Sequence, residues 1–161
     1  MIRKANPEDS ARIAEIYNYY IENTTVTFET EKVSPKEMRL RMEEISSENP
    51  YLVFEEEGRV VGYVYSHKWK SKAAYSRSCE TTLYLDPAVK RRGIGSELLK
   101  ALISECKSMG FHVLIACITG ENEESMNFHR KFGFKEASFF HEVGRKFGRW
   151  LDVRDFELLI D

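Results

Sequence analysis

Apolar residues recur along this chain with two different periods, and the predicted element changes where the period does. Ile13, Ile16, Tyr17, Tyr20 and Ile21 fall on one face of a helix. Asn6-Pro7-Glu8-Asp9 starts that helix with a capping side chain, a proline at the first position and acids against the dipole. Met38, Met42 and Ile45 form a second stripe behind Ser34-Pro35-Lys36-Glu37 and end near Asn49-Pro50. Leu98, Leu99, Leu102, Ile103 and Cys106 form a third. Alternating and β-branched runs predict strands at residues 1–5, 51–56, 59–69 and 75–85, with Glu57-Gly58 as a hairpin turn and Asp86-Pro87 as a stop. Residues 112–118 are almost uninterruptedly apolar, as in a strand covered on both faces. Asn122 caps a further helix that ends at Gly133, and strands at 134–143 and 150–159 flank a glycine-bounded segment, 144–148. No repeat, low-complexity tract or linker interrupts this order. It describes an α+β domain with a mixed, mostly antiparallel sheet flanked by helices.

Composition narrows the class. A chain of 161 residues fits one domain, 1–161, able to bury about 70% of its unfolded surface without a metal or disulfide staple. Against 24 basic residues stand 26 acidic ones, a net charge of −2, which argues against a nucleic-acid coat or a polybasic membrane anchor. The amino terminus lacks an apolar signal core, and no apolar run approaches the ~18 residues that span a bilayer, so a cytoplasmic protein is expected. Cys79, Cys106 and Cys117 have no close spacing and sit in apolar or strand-like surroundings, which suits buried thiols in a reducing compartment. His67, His112 and His141 lack metal-ligand spacing, and no metal is expected.

Any basic function must therefore be local, and one segment supplies it. Lys90-Arg91-Arg92-Gly93-Ile94-Gly95-Ser96 places two glycines and three cations between a predicted strand and a predicted helix. The glycines let backbone approach a ligand without Cβ interference, so amide N–H groups of the first helical turn can face one anion, aided by the helix dipole. The cations favour a ligand with more than one phosphate. A nucleoside-triphosphate loop would need a Gly-Lys-Ser/Thr ending, and a dinucleotide fingerprint a third glycine where Leu98 stands. Neither is present.

Leu83-Tyr84-Leu85-Asp86-Pro87 running into Lys90-x-x-Gly93-x-Gly95 resembles the signature of the GNAT acyltransferase superfamily, usually Gln/Arg-x-x-Gly-x-Gly/Ala, with Lys90 a mild departure. Asn122-x-x-Ser125-x-x-Phe128-His129-x-Lys131-x-Gly133-Phe134 is similar to that family's next coenzyme-contacting helix. Further segments look like the phosphinothricin acetyltransferase branch. They include Ile16-Tyr17-Asn18-Tyr19-Tyr20, Val61-Gly62-Tyr63-Val64-Tyr65 and Gly144-Arg145-Lys146-Phe147-Gly148-Arg149-Trp150-Leu151-Asp152-Val153. The resemblance implies the GNAT fold, with the strands holding Leu83 and Leu114 splayed to admit a pantetheine arm. It also implies transfer of an acetyl group from acetyl-CoA to the amino group of a small amino acid, or of an analogue such as phosphinothricin or methionine sulfoximine.

The resemblance also distributes roles. Backbone at Leu83 and Leu85 would pair with pantetheine, a main-chain N–H near Leu83 or Tyr84 would serve the oxyanion, and Lys90 to Ser96 would hold the pyrophosphate. Asn122 and Ser125 would flank the thiol, and Lys131 is either an adenosine-side phosphate contact or a solvated lysine. Glu80 aligns with the branch's proposed general base, and an α-amine with a reference pKa of about 7.7 to 8.0 needs one. His129 stands where many relatives carry a thiolate-protonating tyrosine; it is either that acid or a packed aromatic beside Phe128, Phe132 and Phe134. The branch's Arg-x-Ala-Tyr-Arg is here Lys72-Ala73-Ala74-Tyr75-Ser76, followed by Arg77, so a fork for an anionic acceptor is weakened. Phe28 would line the opposite wall of the acceptor pocket. Phe139, Phe140, Phe147 and Trp150 are either core or the surface of a homodimer, as relatives usually pair there. A peptide N-acetyltransferase and a non-catalytic acyl-CoA sensor stand as alternatives, the first disfavoured by long loops at 24–34 and 69–75.

Overall fold

The computed structural model describes residues 1–89 and 92–161; Lys90 and Arg91 lie outside the described residues. Its elements in chain order are β1 (Ile2–Lys4), α1 (Ser10–Asn23), α2 (Pro35–Ser46), β2 (Tyr51–Glu56), β3 (Arg59–Lys68), β4 (Ser78–Leu85), α3 (Ile94–Ser108), β5 (Val113–Thr119), α4 (Glu123–Lys131), β6 (Lys135–Lys146) and β7 (Arg149–Leu159). They build a seven-stranded sheet in the order β1-β2-β3-β4-β5-β7-β6. Neighbouring strands run antiparallel except β4 and β5, which are parallel. This is the α+β architecture the residue pattern predicts.

Each face of the sheet buries one core. Leu98, Leu102, Leu114, Met126 and Phe156 are fully buried on the face that carries α3 and α4, together with Val64 and Cys79. Ile13, Ile16, Ile21, Met38, Val53 and Tyr63 form the other core, beneath α1 and α2. The helical stripes supply one side of each core and alternate strand positions the other, so the sheet has two dressed faces. Among the described residues, no helix is long and apolar enough to cross a membrane.

Local chemistry sets the boundaries. Ser34 Oγ accepts the Glu37 amide at 3.1 Å and starts α2, and Asn122 Oδ1 accepts the Ser125 amide at 3.2 Å and starts α4. Asn6 caps a short 3-10 turn, Pro7–Asp9, in a reciprocal capping box with Asp9. The turn between β2 and β3 has positive φ at both Glu57 (50°) and Gly58 (76°), as a two-residue hairpin requires.

The structure departs from the sequence pattern in three places. β6 and β7 run on to a two-residue turn at Phe147-Gly148, so 144–148 is mostly strand. Gly144 pairs with Leu151 there, and a Cβ on it would lie 2.2 Å from the Phe28 ring: this glycine makes room for a side chain instead of breaking a strand. β5 buries Leu114, Ala116 and Ile118 on one face and Ile115 and Thr119 on the other, where Cys117 between them is exposed. The expectation of three buried thiols therefore holds for Cys79 and Cys106 and is corrected at Cys117. Finally, Phe139, Phe140, Phe147 and Trp150 are 40–61% exposed, which removes the core alternative for them.

A partly buried ion pair locks the amino-terminal corner. Arg3 places Nη1 and Nη2 at 2.9 Å from the two oxygens of Asp9, whose Oδ2 also accepts the Asn6 amide at 2.8 Å. Burial alone would raise the Asp9 carboxyl, but the Arg3 fork and the Asn6 amide outweigh it and hold it below its ordinary value. A carboxylate with a depressed folded-state pKa contributes stability above its unfolded value of about 3.9 and loses it as the pH falls through the folded one. Asp9→Asn is thus expected to destabilise the protein by about 1–3 kcal/mol at neutral pH. In urea melts, that deficit should shrink steadily as the pH drops below about 4.

Candidate active site

The parallel β4–β5 ladder runs from Ser78 opposite Val113 to Thr81 opposite Ala116, and there it ends. Both strands continue, β4 to Leu85 and β5 to Thr119, each held by its outer neighbour: β3 follows β4 to Leu85 and β7 follows β5 to Thr119. The two strands therefore part without fraying. Between them opens a cavity of about 610 Å³, walled by residues 81–85 and 116–119 and roofed by the starts of α3 and α4. Tyr20 fixes the end of β4: its hydroxyl donates to the Leu85 carbonyl at 2.6 Å, and burial, with nearby acidic groups, pushes the phenol up to about 12, so the proton stays.

The start of α3 borders this cavity. Gly93 takes φ +78° as the residue before the helix, and no described side chain caps it. The first-turn amides consequently face open space, in the arrangement that attracts an anion. Gly95 packs so that a Cβ would meet Leu85, Phe128 and Leu83 at 3.6–3.8 Å. Of the residues singled out in the sequence, Leu83, Tyr84, Leu85, Gly93, Gly95, Ser96, Asn122, Ser125, His129 and Lys131 all line the cavity. Ile94 turns its side chain into the core and offers only its backbone. Arg92 is forked on Glu56 at 2.9 and 3.0 Å, an exposed pair that an incoming phosphate could compete for. Lys90 and Arg91 lie outside the described residues. A diphosphate carried on a long, partly apolar arm fits the shape and donors of this cavity.

Glu80 stands one residue before the strands part, opposite Ile115. Cys79, Leu83 and Leu85 pack toward α3, so strand alternation turns Glu80, with Tyr84, to the other face of the sheet. There it meets His67 of β3, its direct partner in the ladder, at 2.8 Å between Nε2 and Oε2. Cys117 of β5 and Asp155 of β7 are ladder partners on the same side, and Asp155 accepts the Ser138 hydroxyl at 3.0 Å. The protein packed around the Cys117 thiol, with the Asp155 and Glu80 carboxylates, pushes it up to about 12 and keeps it protonated.

His129 is buried, edge-on to Phe128 (5.3 Å) and Phe134 (5.1 Å), with Nδ1 2.8 Å from the Ser125 carbonyl. Burial lowers its pKa more than that carbonyl raises it. A neutral ring that donates from Nδ1 presents only a lone pair at Nε2. This geometry favours the packing alternative over a resting acid.

Each residue expected to grip the acceptor has a contact or exposure of its own in the structure. Phe28 rests on Gly144. Lys72 is exposed, and Tyr75 stacks edge-on against Trp69 at 5.3 Å. Arg77 directs Nη1 to the Gly110 carbonyl at 3.4 Å, beyond the carboxyl end of α3. Sequence reasoning missed His67, Cys117 and Asp155. Period-two alternation could have put each on a face, but only the strand register brings them to Glu80. Among the described residues no cluster of His, Cys, Asp and Glu is placed to hold a metal ion.

Comparison with known proteins agrees with this geometry. Residues 2–154 match the acetyltransferase (GNAT) domain family. The chain is 37% identical to a phosphinothricin N-acetyltransferase of Streptomyces viridochromogenes, over 98% of this chain and 88% of that protein. It is 36% identical to an L-methionine sulfoximine/L-methionine sulfone acetyltransferase of Salmonella typhimurium, over 99% and 94%. A GNAT phosphinothricin acetyltransferase from Sinorhizobium meliloti, solved in complex with AcCoA, superposes with a TM-score of 0.96 at 34% identity, covering 99% of this chain and 88% of that one. The chain belongs to the GNAT acetyltransferase family and is an acetyl-CoA-dependent N-acetyltransferase.

Two substitutions test the cavity. Gly95→Val would push methyl groups among Leu83, Leu85 and Phe128 at the helix start, and titration calorimetry should find acetyl-CoA bound at least tenfold more weakly. His129→Phe should keep kcat within about threefold of the parent, as expected of a packed ring; a hundredfold loss would restore the acid role.

Proposed function

We propose that this enzyme moves the acetyl group directly from acetyl-CoA to the amino group of a small amino acid or an analogue of the phosphinothricin and methionine sulfoximine kind, with Glu80 as general base. One observation carries the reading: Glu80 projects on the face opposite α3, one residue before β4 and β5 part. A thioester lying in the opening and an amine on the far side would meet there.

In this scheme the backbone of Leu83 and Leu85 pairs with pantetheine. The amides at Gly93, Ile94, Gly95 and Ser96, together with Lys90, Arg91 and Arg92, hold the pyrophosphate. Asn122 and Ser125 flank the thiol, and Lys131 borders the adenosine-side phosphate. Glu80 accepts a proton from the bound ammonium, directly or through one water, and frees the lone pair that attacks the acetyl carbon. A main-chain N–H near Leu83 or Tyr84 stabilises the oxyanion. His129, neutral at rest, would have to gain a proton at Nε2 before it could give one to the departing thiolate.

Bonds that tie down the 24–34 loop support a small acceptor over a peptide. Thr119 Oγ1 donates to the Thr25 carbonyl at 2.7 Å, and Lys146 Nζ to the Thr27 carbonyl at 2.9 Å, so the loop lies against β5 and β6. Phe28 would form one wall, with Lys72 and Tyr75 bordering the other. Arg77 would have to leave Gly110 to reach an acceptor carboxylate. The relatives' substrates support an amino-acid analogue. The exposed aromatic surface of β6 and β7 supports a homodimer, and the buried reduced thiols of Cys79 and Cys106 support a cytoplasmic setting.

A thiol-release assay across amino acids, sulfoximines, phosphinates, polyamines and short peptides tests the acceptor class, and a response to peptides alone would overturn it. Glu80→Gln should lower kcat by about a hundredfold with acetyl-CoA affinity kept within about threefold. Undiminished binding in a parent protein that turns nothing over would instead indicate an acyl-CoA sensor.

A further inference from the structure

We propose that His67 is a positioning residue for acetyl transfer, holding one oxygen of Glu80 so that the other is presented to the acceptor amine. The inference rests on the reading of Glu80 as the base. Three features of the ladder carry it.

The first is register. His67 and Glu80 are direct partners across the antiparallel β3–β4 pair, so both side chains rise from the same face and their bond is set by backbone pairing. The second is the donor count. Nε2 lies 2.8 Å from Glu80 Oε2, and Nδ1 lies 3.1 Å from the Lys68 carbonyl oxygen. Two acceptors face two ring nitrogens; a neutral imidazole can donate to only one of them, and the imidazolium satisfies both. Burial is the largest influence and works against the charged ring, but the hydrogen bond to Glu80, the Glu80 charge and the Lys68 carbonyl together outweigh it and raise the His67 pKa. The imidazolium therefore persists above the ordinary range and is lost as the pH rises through the raised value.

The third is what surrounds the carboxylate. From β3, the Tyr65 ring lies 5.8 Å from the His67 ring, and its hydroxyl is within the field of Glu80. From β5 comes the Cys117 thiol, and from β7 the Asp155 carboxylate faces that same thiol. Two carboxylates thus border one thiol, and the imidazolium is the positive group in direct contact with the one proposed as base. A glutamate has three rotatable bonds; held at one oxygen it keeps the other near a single direction, which a proton transfer with strict distance limits needs. Both partners are about one-third exposed or less, 34% and 25%, so a purely structural surface pair would contribute little to stability and nothing to turnover.

The test compares His67→Ala, His67→Gln and Glu80→Gln with the parent in steady-state kinetics, with thermal melts alongside. His67→Ala should lower kcat about tenfold and leave the KM for acetyl-CoA within about twofold, the signature of a lost charge-assisted bond at the base. His67→Gln, whose amide can still donate to Oε2, should recover most of kcat. By proton NMR the His67 ring of the parent should titrate above the usual value of about 6.5 and fall back toward it in Glu80→Gln. Parent-like kcat in a folded His67→Ala, or equal losses in the Ala and Gln variants that follow the loss of thermal stability, would overturn the positioning role. If His67→Ala does not fold, the Gln variant and the titration decide. Full turnover by Glu80→Gln would overturn the base itself, an outcome separate from the loss of positioning alone.

Discussion

The site depends on one constraint: two parallel strands stop pairing with each other while each remains paired on its outer side. β4 is held by β3 through Leu85, and β5 by β7 through Thr119, so neither can collapse onto its neighbour after Thr81 and Ala116. Backbone donors and acceptors along the inner edges need partners, and an amide-bearing arm laid between them can supply these. The opening is thus a consequence of sheet topology. It persists in the absence of ligand because both cores, one under α3 and one under α1 and α2, are complete without it.

The same parting separates two chemistries. On the α3 side are open first-turn amides and small residues, which suit an extended diphosphate ligand. On the other are Glu80, His67, Cys117 and Asp155, groups that take, hold or resist protons. Glu80 sits at the seam, and the acceptor would approach from beneath the 24–34 loop. Strand register fixes where the backbones of these four residues stand relative to one another.

Much of the scaffold could be read from the residues, because it rests on local signals. Caps at Asn6, Ser34 and Asn122, the helical stripes and the Glu57-Gly58 turn act within a few positions, and the glycines at 93 and 95 mark the start of α3 by themselves. What escaped depends on contacts between distant segments. Gly144 looks like a strand breaker until Phe28, far away in sequence, is seen to occupy the space its Cβ would need. Cys117 sits in an apolar run and looks buried, yet the structure leaves it exposed, with the Asp155 and Glu80 carboxylates as the groups beside its thiol. His67 shows no metal spacing and so no evident role; only the β3–β4 register delivers it to Glu80. In the 72–77 segment, spacing does not give the contacts: Tyr75 meets the Trp69 ring, Arg77 the Gly110 carbonyl, and Lys72 is exposed.

The central claim is that parted strands and an uncapped helix start together form an acyl-coenzyme site. A crystal structure of the protein soaked with coenzyme A tests it most directly. The account requires the diphosphate on the backbone of residues 93–96 and the pantetheine arm threaded between β4 and β5 beyond Thr81 and Ala116, its thiol on the seam beside Glu80. Coenzyme bound elsewhere, or an opening closed by side chains in solution conditions that saturate binding, would contradict it.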